Sequence, residues 1–335
     1  MAIAQAQIWA PTNIASLDIM SGPDDRRGFP FRADVHCDYT NKKMSGQSPK
    51  FSCVIAPDDT VKVKFGGTNG EVYGEVLATR LLWALGFGAD HMYSVRVTCH
   101  KCPLKLLEIG DAGDRSAIEG SGGDLIFDPA AIERKMPGTE FKGTSGWAWA
   151  ELDRVSEEAG GATRAQRDAL KLLAVFLQHG DNKPEQQRLA CLGGWHAKAE
   201  MPCSQPFMMI NDLGLTFGRS NTSNSNSIGG VNLTEWMRTP IWKDSKDPAK
   251  CVGNLSKSRT GSLGDPVISE EGRQFLASLL GQLSDRQLHD LFAVARVDLR
   301  LRTPDHVQSG YSTIDEWVAA FKEKRDEIVN RRCDS

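Results

Sequence analysis

Residues 164–178 are apolar on most faces, with Leu170, Leu172, Leu173, Val175, Phe176 and Leu177 close together. A run of this kind folds as a helix buried nearly all round. It stops abruptly in the polar segment His179-Gly180-Asp181-Asn182-Lys183-Pro184-Glu185-Gln186. About thirty residues later the apolar strand 207–210 stops just as abruptly, in Asn211-Asp212-Leu213-Gly214. The chain therefore has to carry two carboxylates, Asp181 and Asp212, on separate loops at the ends of rigid interior elements. One suits a proton acceptor that orients a hydroxyl, and the other suits a hard-cation ligand.

Each loop also has a plainer reading. Asp181 sits directly after a buried helix, and Lys183 shares its face if the loop is extended, because alternate side chains point the same way. Lys183 would then neutralise charge on a transferring phosphate, and Gln186 or Gln187 would offer an amide oxygen to a metal ion. The alternative is a polar turn that only caps a core helix. Asp212 follows a buried strand, and Gly214 beside it allows an unusual backbone turn. A simple strand-ending turn explains that segment equally well.

The first part of the chain reads as strands. Residues 31–39 and 51–56 flank a polar, glycine-containing loop as a hairpin, and 60–65 follow the turn Pro57-Asp58-Asp59 as a third strand. A helix is expected over 70–86, with Val72, Val76, Leu77, Leu81 and Leu85 at helical spacing and Gly86 and Gly88 as its stop. Further strands are expected at 92–98 and 125–127, separated by a loop over 110–123. Lys64 lies on the third strand; a lysine turned into a cleft there would contact nucleotide phosphates as a point charge. Lys62 shares its face, so spacing does not choose between them. Glu71 and Glu75 lie four apart on one helix face, and either can pair with Lys64; Glu75 is favoured because the apolar run continues directly from it. In the loop Ser45-Gly46-Gln47-Ser48-Pro49-Lys50, Gly46 lets backbone N–H groups approach phosphate, and Ser45, Ser48 and Lys50 add donors.

The remainder is mainly helical. Two amphipathic helices are expected over 270–297, split near Ser284, and a last one over 313–331 with Thr313 and Glu316 as a capping box. Residues 1–30 read as an arm lying on the body, and 219–264 as a long Ser/Asn/Gly-rich stretch without period. A formal net charge of −3, with Lys and Arg scattered, gives no nucleic-acid-binding surface. No apolar run reaches membrane-spanning length. Eight cysteines include three local pairs, Cys37/Cys53, Cys99/Cys102 and Cys191/Cys203, with Cys251 and Cys333 left over. That pattern, with a signal-peptide-like remnant at Ala2–Gln7, favours a periplasmic or secreted protein with disulfides. Free thiols in the cytosol, or a zinc site on Cys99, His100 and Cys102, are the alternatives.

Taken together these motifs resemble the protein-kinase-like superfamily. His179–Gln186 looks like the H-R-D-L-K-P-E-N loop, Asp212-Leu213-Gly214 like D-F-G, and Val61-Lys62-Val63-Lys64 like V-A-I-K. The segment Ser45–Lys50 is similar to the S-G-x-x-P-K loop of HipA-type bacterial kinases rather than to a glycine-rich G-x-G-x-x-G. This points to an atypical branch that includes phosphatidylinositol kinases and secreted kinases of the Golgi casein-kinase type. The resemblance implies an α+β, two-lobed fold: an arm at 1–30, a β-rich N-lobe at 31–135 and a helical C-lobe at 136–332. It implies ATP with Mg²⁺ or Mn²⁺, and transfer of the γ-phosphoryl group to a hydroxyl on protein, sugar or lipid. Lys64 would hold the α- and β-phosphates with Glu75 as partner, alongside Gly46, Ser48 and Lys50. Asp181 would be the catalytic base with Lys183 beside it, and Asp212 and Gln186 the metal ligands, Gln186 standing where the family has Asn. Gly180 replaces the arginine that senses activation-loop phosphate, which argues against that switch. An adenine-binding connection is expected near residues 131–134. Adenylyl transfer, or a nucleotide-binding pseudokinase acting as a binding module, are the competing readings.

Overall fold

Alternation shapes the first half of the chain. Strands β1 (Asp34–Thr40), β2 (Lys50–Ala56) and β3 (Asp59–Phe65) turn Val35, Cys37, Phe51, Cys53, Val61, Val63 and Phe65 to one side. The computed structural model describes residues 2–23, 27–46, 48–108, 117–141, 146–194, 203–218, 230–244, 250–256, 258–259, 261–304 and 307–333, and in it that side is the inside of a closed barrel. The three strands form an antiparallel meander. Strand β4 (His91–His100) runs parallel to β1. Strand β6 (Leu125–Arg134) closes the five-stranded ring by pairing with β4 along one edge and β3 along the other. The short β5 (Ala117–Glu119) occupies the part of that second edge which β3 does not reach.

Helix α1 (Gly70–Leu85) packs on the outside of the barrel. The Asn69 side chain caps its start by accepting from Glu71 N at 3.2 Å, and Gly86, at φ 85°, ends it in the left-handed region. The helix is buried nearly all round, its polar Glu71, Glu75, Thr79 and Arg80 included, and only Trp83 keeps partial exposure. It can be so because the rest of the chain covers its other face.

That covering layer is a small sheet and a set of helices. Strands β7 (Thr139–Glu140), β8 (Gln187–Cys191) and β9 (Pro206–Ile210) form an antiparallel sheet. The helices are α2 (Arg164–Leu177), α3 (Leu233–Arg238), α4 (Glu270–Gly281), α5 (Asp285–Val294) and α6 (Ile314–Val329). Capping boxes start three of them: Thr163 with Gln166, Ser284 with Gln287, and Thr313 with Glu316. Phe176, Phe217, Trp236, Phe292, Trp317 and Phe321 pack edge-on and stacked between them.

The N-terminal segment is built into this core. Ala6, Ile8, Ile14 and Ile19 are buried, Gln7 bridges to Phe207 on β9, and Trp9 bridges to Phe87 after α1. The Gln287 amide donates to Ile14 O at 2.6 Å, and Arg80 donates to Ile19 O at 3.0 Å. The segment thus ties α1, the small sheet and α5 together.

Three expectations need adjustment. The strand expected at 125–127 continues to Arg134, so residues 131–134 lie inside β6, 131–133 paired to both neighbours and Arg134 to β4, and the connection begins after them. Residues 110–116 of the expected loop, and 219–229, 245–249, 257 and 260 of the aperiodic stretch, lie outside the described residues; 117–119 form β5, and 233–238 form α3. All eight cysteines are paired, the leftover two with each other: Cys37–Cys53, Cys99–Cys102, Cys191–Cys203 and Cys251–Cys333, with Cα separations of 5.3–5.7 Å. The Cys99–Cys102 disulfide removes both sulfur ligands of the zinc alternative. Four such pairs are consistent with an oxidising compartment. No described helix is long and apolar enough to cross a membrane.

The Cys251–Cys333 bond spans 82 residues, whereas Cys99–Cys102 spans 3. Loop-closure entropy makes the first worth about 4.5 kcal/mol and the second about 1.6 kcal/mol. Replacing each pair with serines should reproduce that order in urea or guanidinium titrations. Equal losses would contradict it.

Candidate active site

The site is built on the outer faces of the barrel strands. Because Val61, Val63 and Phe65 fill the interior, Lys62 and Lys64 point outward. Register sets two rows across that face: Lys50, Lys64 and Ala131 in one, Ser52, Lys62 and Glu133 in the next. Lys64 is covered by α1 and buried, and its ammonium donates to Glu71 at 2.6 Å and to Glu75. Lys62 instead pairs with Glu133 across the strands. The register thus separates two lysines that spacing alone left equivalent, and α1 contributes both of its glutamates rather than Glu75 alone.

Asp212 completes the cluster. It follows β9, keeps part of its surface open, and accepts from Gly214 N at 3.3 Å. Burial opposes the Lys64 ammonium, but Glu71, Glu75 and Asp212 together outweigh that and hold its pKa well above the lysine range. Burial likewise pushes the Glu75 carboxyl up, against the pull of Lys64 and with help from Asp212. At Asp212 burial is overcome by Lys64 and by a proton on Glu75, so its pKa falls below the usual carboxylate range. One oxygen of Glu75 is buried with no donor. Three carboxylates surround one fully enclosed ammonium, so the cluster is short of positive charge.

The other aspartate lies on a loop joined to the first by backbone hydrogen bonds. Asn211 N donates to Gln186 O at 2.8 Å, Gly180 N to Leu215 O at 3.1 Å and Phe217 N to Leu177 O at 2.6 Å. Helix α2 ends with Gln178 in the left-handed region, and His179 turns inward, fully buried, with neither ring nitrogen hydrogen-bonded. Burial lowers its pKa to about 4, so the ring is neutral. Asp181 accepts from Lys183 at 3.0 Å and from the Gln186 amide nitrogen at 2.9 Å. The Gln186 oxygen is left for another donor or a cation. Gln187 is buried and donates to Asn182 O at 3.2 Å, so of the two glutamines only Gln186 faces Asp181. Asn182, fully buried, accepts from Ser262 N and Leu263 N at 2.9 and 2.8 Å and pins the loop from behind.

Glycine permits the close contacts. Gly214 has no left-handed φ, contrary to the unusual turn expected of it. Its role is proximity: a Cβ there would lie 2.6 Å from Glu71 Cγ, and one on Gly74 would lie 2.9 Å from Gly214 O. Gly74 is therefore part of the site, and its helical setting gave no hint of this in the sequence. Gly46 does need its positive φ of 83°, and a Cβ there would meet Lys50 Nζ at 2.6 Å. Lys50 donates to Ser48 Oγ at 3.2 Å and feels the charges of Lys64, Glu71 and Asp212, so this loop hangs over the cluster. Its Gln47 lies outside the described residues.

One row away from Lys64, a cavity of about 640 Å³ opens along the second row, lined by Ser45, Ser52, the Lys62–Glu133 pair and the Arg134–Asp59 pair. Among the described residues no three acidic, histidine or cysteine side chains form a ready-made metal cage. A cation at Asp212 would need further oxygens from Gln186, from water and from bound phosphates, which is how Mg²⁺ is usually held. The charge deficit at Lys64, with Glu71 and Asp212 facing one ammonium, fits such a cation.

No protein-family model and no curated protein sequence matches this chain. Two solved kinases are similar to it in structure. One is the proinflammatory kinase CtkA of Helicobacter pylori, at 10% identity and a TM-score of 0.43, covering 89% of this chain and 96% of that one. The other is the Golgi casein kinase with Mn/ADP bound, at 10% identity and a TM-score of 0.35, covering 89% and 73%.

Removing Lys64 leaves three carboxylates enclosed without their counter-ion. Lys64→Met should cost about 3–5 kcal/mol at neutral pH. A carboxyl whose folded pKa is raised, as at Glu75, contributes stability below its unfolded pKa and loses it as pH rises. The penalty should therefore be larger at pH 8 than at pH 5, and adding Glu75→Gln should recover part of it. Denaturant titrations showing the same cost at both pH values, with no recovery, would contradict this electrostatic account.

Proposed function

We propose that this chain is a metal-dependent phosphotransferase with a two-lobed, protein-kinase-like build, which moves the γ-phosphoryl group of a nucleoside triphosphate to a hydroxyl. The barrel with α1, residues 31–135, is the nucleotide-binding lobe; residues 136–332 carry the loops of Asp181 and Asp212. The observation that carries this reading is the meeting of Lys64, held by Glu71 and Glu75, with Asp212 from the far side of the sequence. Phosphoryl transfer depends chiefly on positioning and charge neutralisation, and these are what such a cluster supplies.

In this reading the Lys64 ammonium holds the α- and β-phosphates, and the paired glutamates fix where it points. Gly46, Ser48 and Lys50 close over the phosphates from above. Asp212 and the Gln186 oxygen would hold Mg²⁺ or Mn²⁺, which supplies charge neutralisation between the β- and γ-phosphates. Asp181 orients the acceptor hydroxyl and takes its proton as the oxygen–phosphorus bond forms and the bond from the γ-phosphorus to the β–γ bridging oxygen breaks. Lys183, already on Asp181, sits where charge moves onto the transferring group. ATP is the donor that the sequence resemblance implies; the acceptor is a protein serine or threonine, a sugar or a lipid head group. The paired cysteines support a setting in the periplasm or outside the cell.

Asp212→Ala should abolish transfer from labelled ATP to protein, glycan or lipid fractions while the fold persists. Asp181→Asn should slow transfer by at least about a hundredfold while leaving metal-dependent nucleotide binding in place. Normal turnover by Asp212→Ala would overturn the metal assignment. Adenylyl adducts in product mass spectra would replace phosphoryl with nucleotidyl transfer. Absence of any metal-dependent thermal shift with ATP would leave only a binding module.

A further inference from the structure

The cavity beside Lys64 is where the base of a nucleotide bound at that lysine would lie, and its polar groups are unusually specific. On a strand, residues two apart on one face are separated by about 7 Å, so Lys62 stands one such step from the phosphate-binding lysine. Its ammonium is paired with Glu133, and the two together form the wall of the cavity under the Ser45 loop. Both are largely but not wholly enclosed, with side-chain exposures of 25% and 12%.

Two of the three residues after β6 offer no N–H to a base edge. Met136 N already donates to Asp90 Oδ1 at 2.8 Å, and Pro137 has no N–H. Asp90 is also fixed in place by Arg188 at 2.9 Å, so that donor is not easily released. Recognition of the base therefore falls to side chains, and two ion pairs line the cavity: Arg134 is taken up by both oxygens of Asp59 and by Arg27 O, whereas Lys62–Glu133 stands in the row next to Lys64.

We propose that the Lys62–Glu133 pair reads the base of the bound nucleotide, and that the site accepts guanine nucleotides at least as well as adenine nucleotides. This rests on the nucleotide-binding reading above and specifies its substrate. Along its pairing edge guanine presents an acceptor, O6, followed by two donors, N1–H and N2–H. An ammonium beside a carboxylate matches all three, with the two donors falling on the two carboxylate oxygens in the bidentate manner that strengthens such contacts. Adenine presents one donor, N6–H, and one acceptor, N1, and so satisfies only one bond from each partner. Groups of this kind discriminate because the wrong edge leaves a polar atom unpaired in an enclosed place.

The test is titration calorimetry of the wild-type chain with Mg²⁺ and either GDP or ADP, repeated with Glu133→Gln and Lys62→Gln. Wild type should bind GDP as tightly as ADP or more so. Glu133→Gln should weaken GDP about tenfold, with less than about a threefold effect on ADP. Lys62→Gln should shift selectivity in the same direction, which keeps the test sound if one variant folds poorly. Wild-type preference for ADP by tenfold, or equal weakening of both nucleotides in the variants, would overturn the proposal and leave the pair structural. Should wild type bind neither nucleotide, the nucleotide reading itself fails, and base selection falls with it.

Discussion

Lys64 is the point at which the separate parts of this protein constrain one another. Its backbone belongs to the barrel, its ammonium is bound by two glutamates of α1, and the charge of that group is balanced in part by Asp212. An enclosed ammonium tolerates no loose partner, because each broken contact leaves a charge stranded at a cost of several kcal/mol. The position of α1 against the barrel, and of the Asp212 loop against α1, are therefore set by the same group. Gly74 and Gly214 are the steric side of that arrangement, since a methyl group on either would push the loop off the helix.

The N-terminal segment reinforces this from behind. By bridging to β9 and to the chain after α1, and by receiving hydrogen bonds from Arg80 and Gln287, it holds the far end of α1 to the sheet that carries Asp212. The glutamate pair is thus fixed at one end by Lys64 and at the other by a strap of buried isoleucines. A second tie runs from Asp90 to Arg188 and Met136, joining the start of β4, β8 and the connection after β6.

Much of this was legible in the sequence where local rules act alone. Capping at Ser284 and Thr313, the buried helix before His179 and the three opening strands follow from period and cap chemistry, and they appear within a residue or three of where they were expected. Lys64, Asp181 and Asp212 stand out because charged residues within or at the ends of apolar runs need a reason, and Gln186 stands out only as an amide in the loop that Asp181 opens. What was not legible depends on register and on distant contacts. Spacing cannot tell Lys62 from Lys64, because the choice is made by Glu133 on a strand some seventy residues away. Closure of the barrel depends on β6 switching partners along one edge, which leaves no local trace. The second role of Glu71, the proximity role of Gly214 and the Cys251–Cys333 pair are likewise contacts between segments that the sequence does not show to be neighbours.

The most direct measurement is diffraction from crystals grown with Mn²⁺ and a non-hydrolysable nucleoside triphosphate, using the anomalous signal of manganese. The account places the metal in direct coordination to an Asp212 carboxylate oxygen, with the Lys64 ammonium on the α- or β-phosphate and the base in the cavity against Lys62 and Glu133. Manganese bound away from Asp212, or a nucleotide held without Lys64, would contradict it.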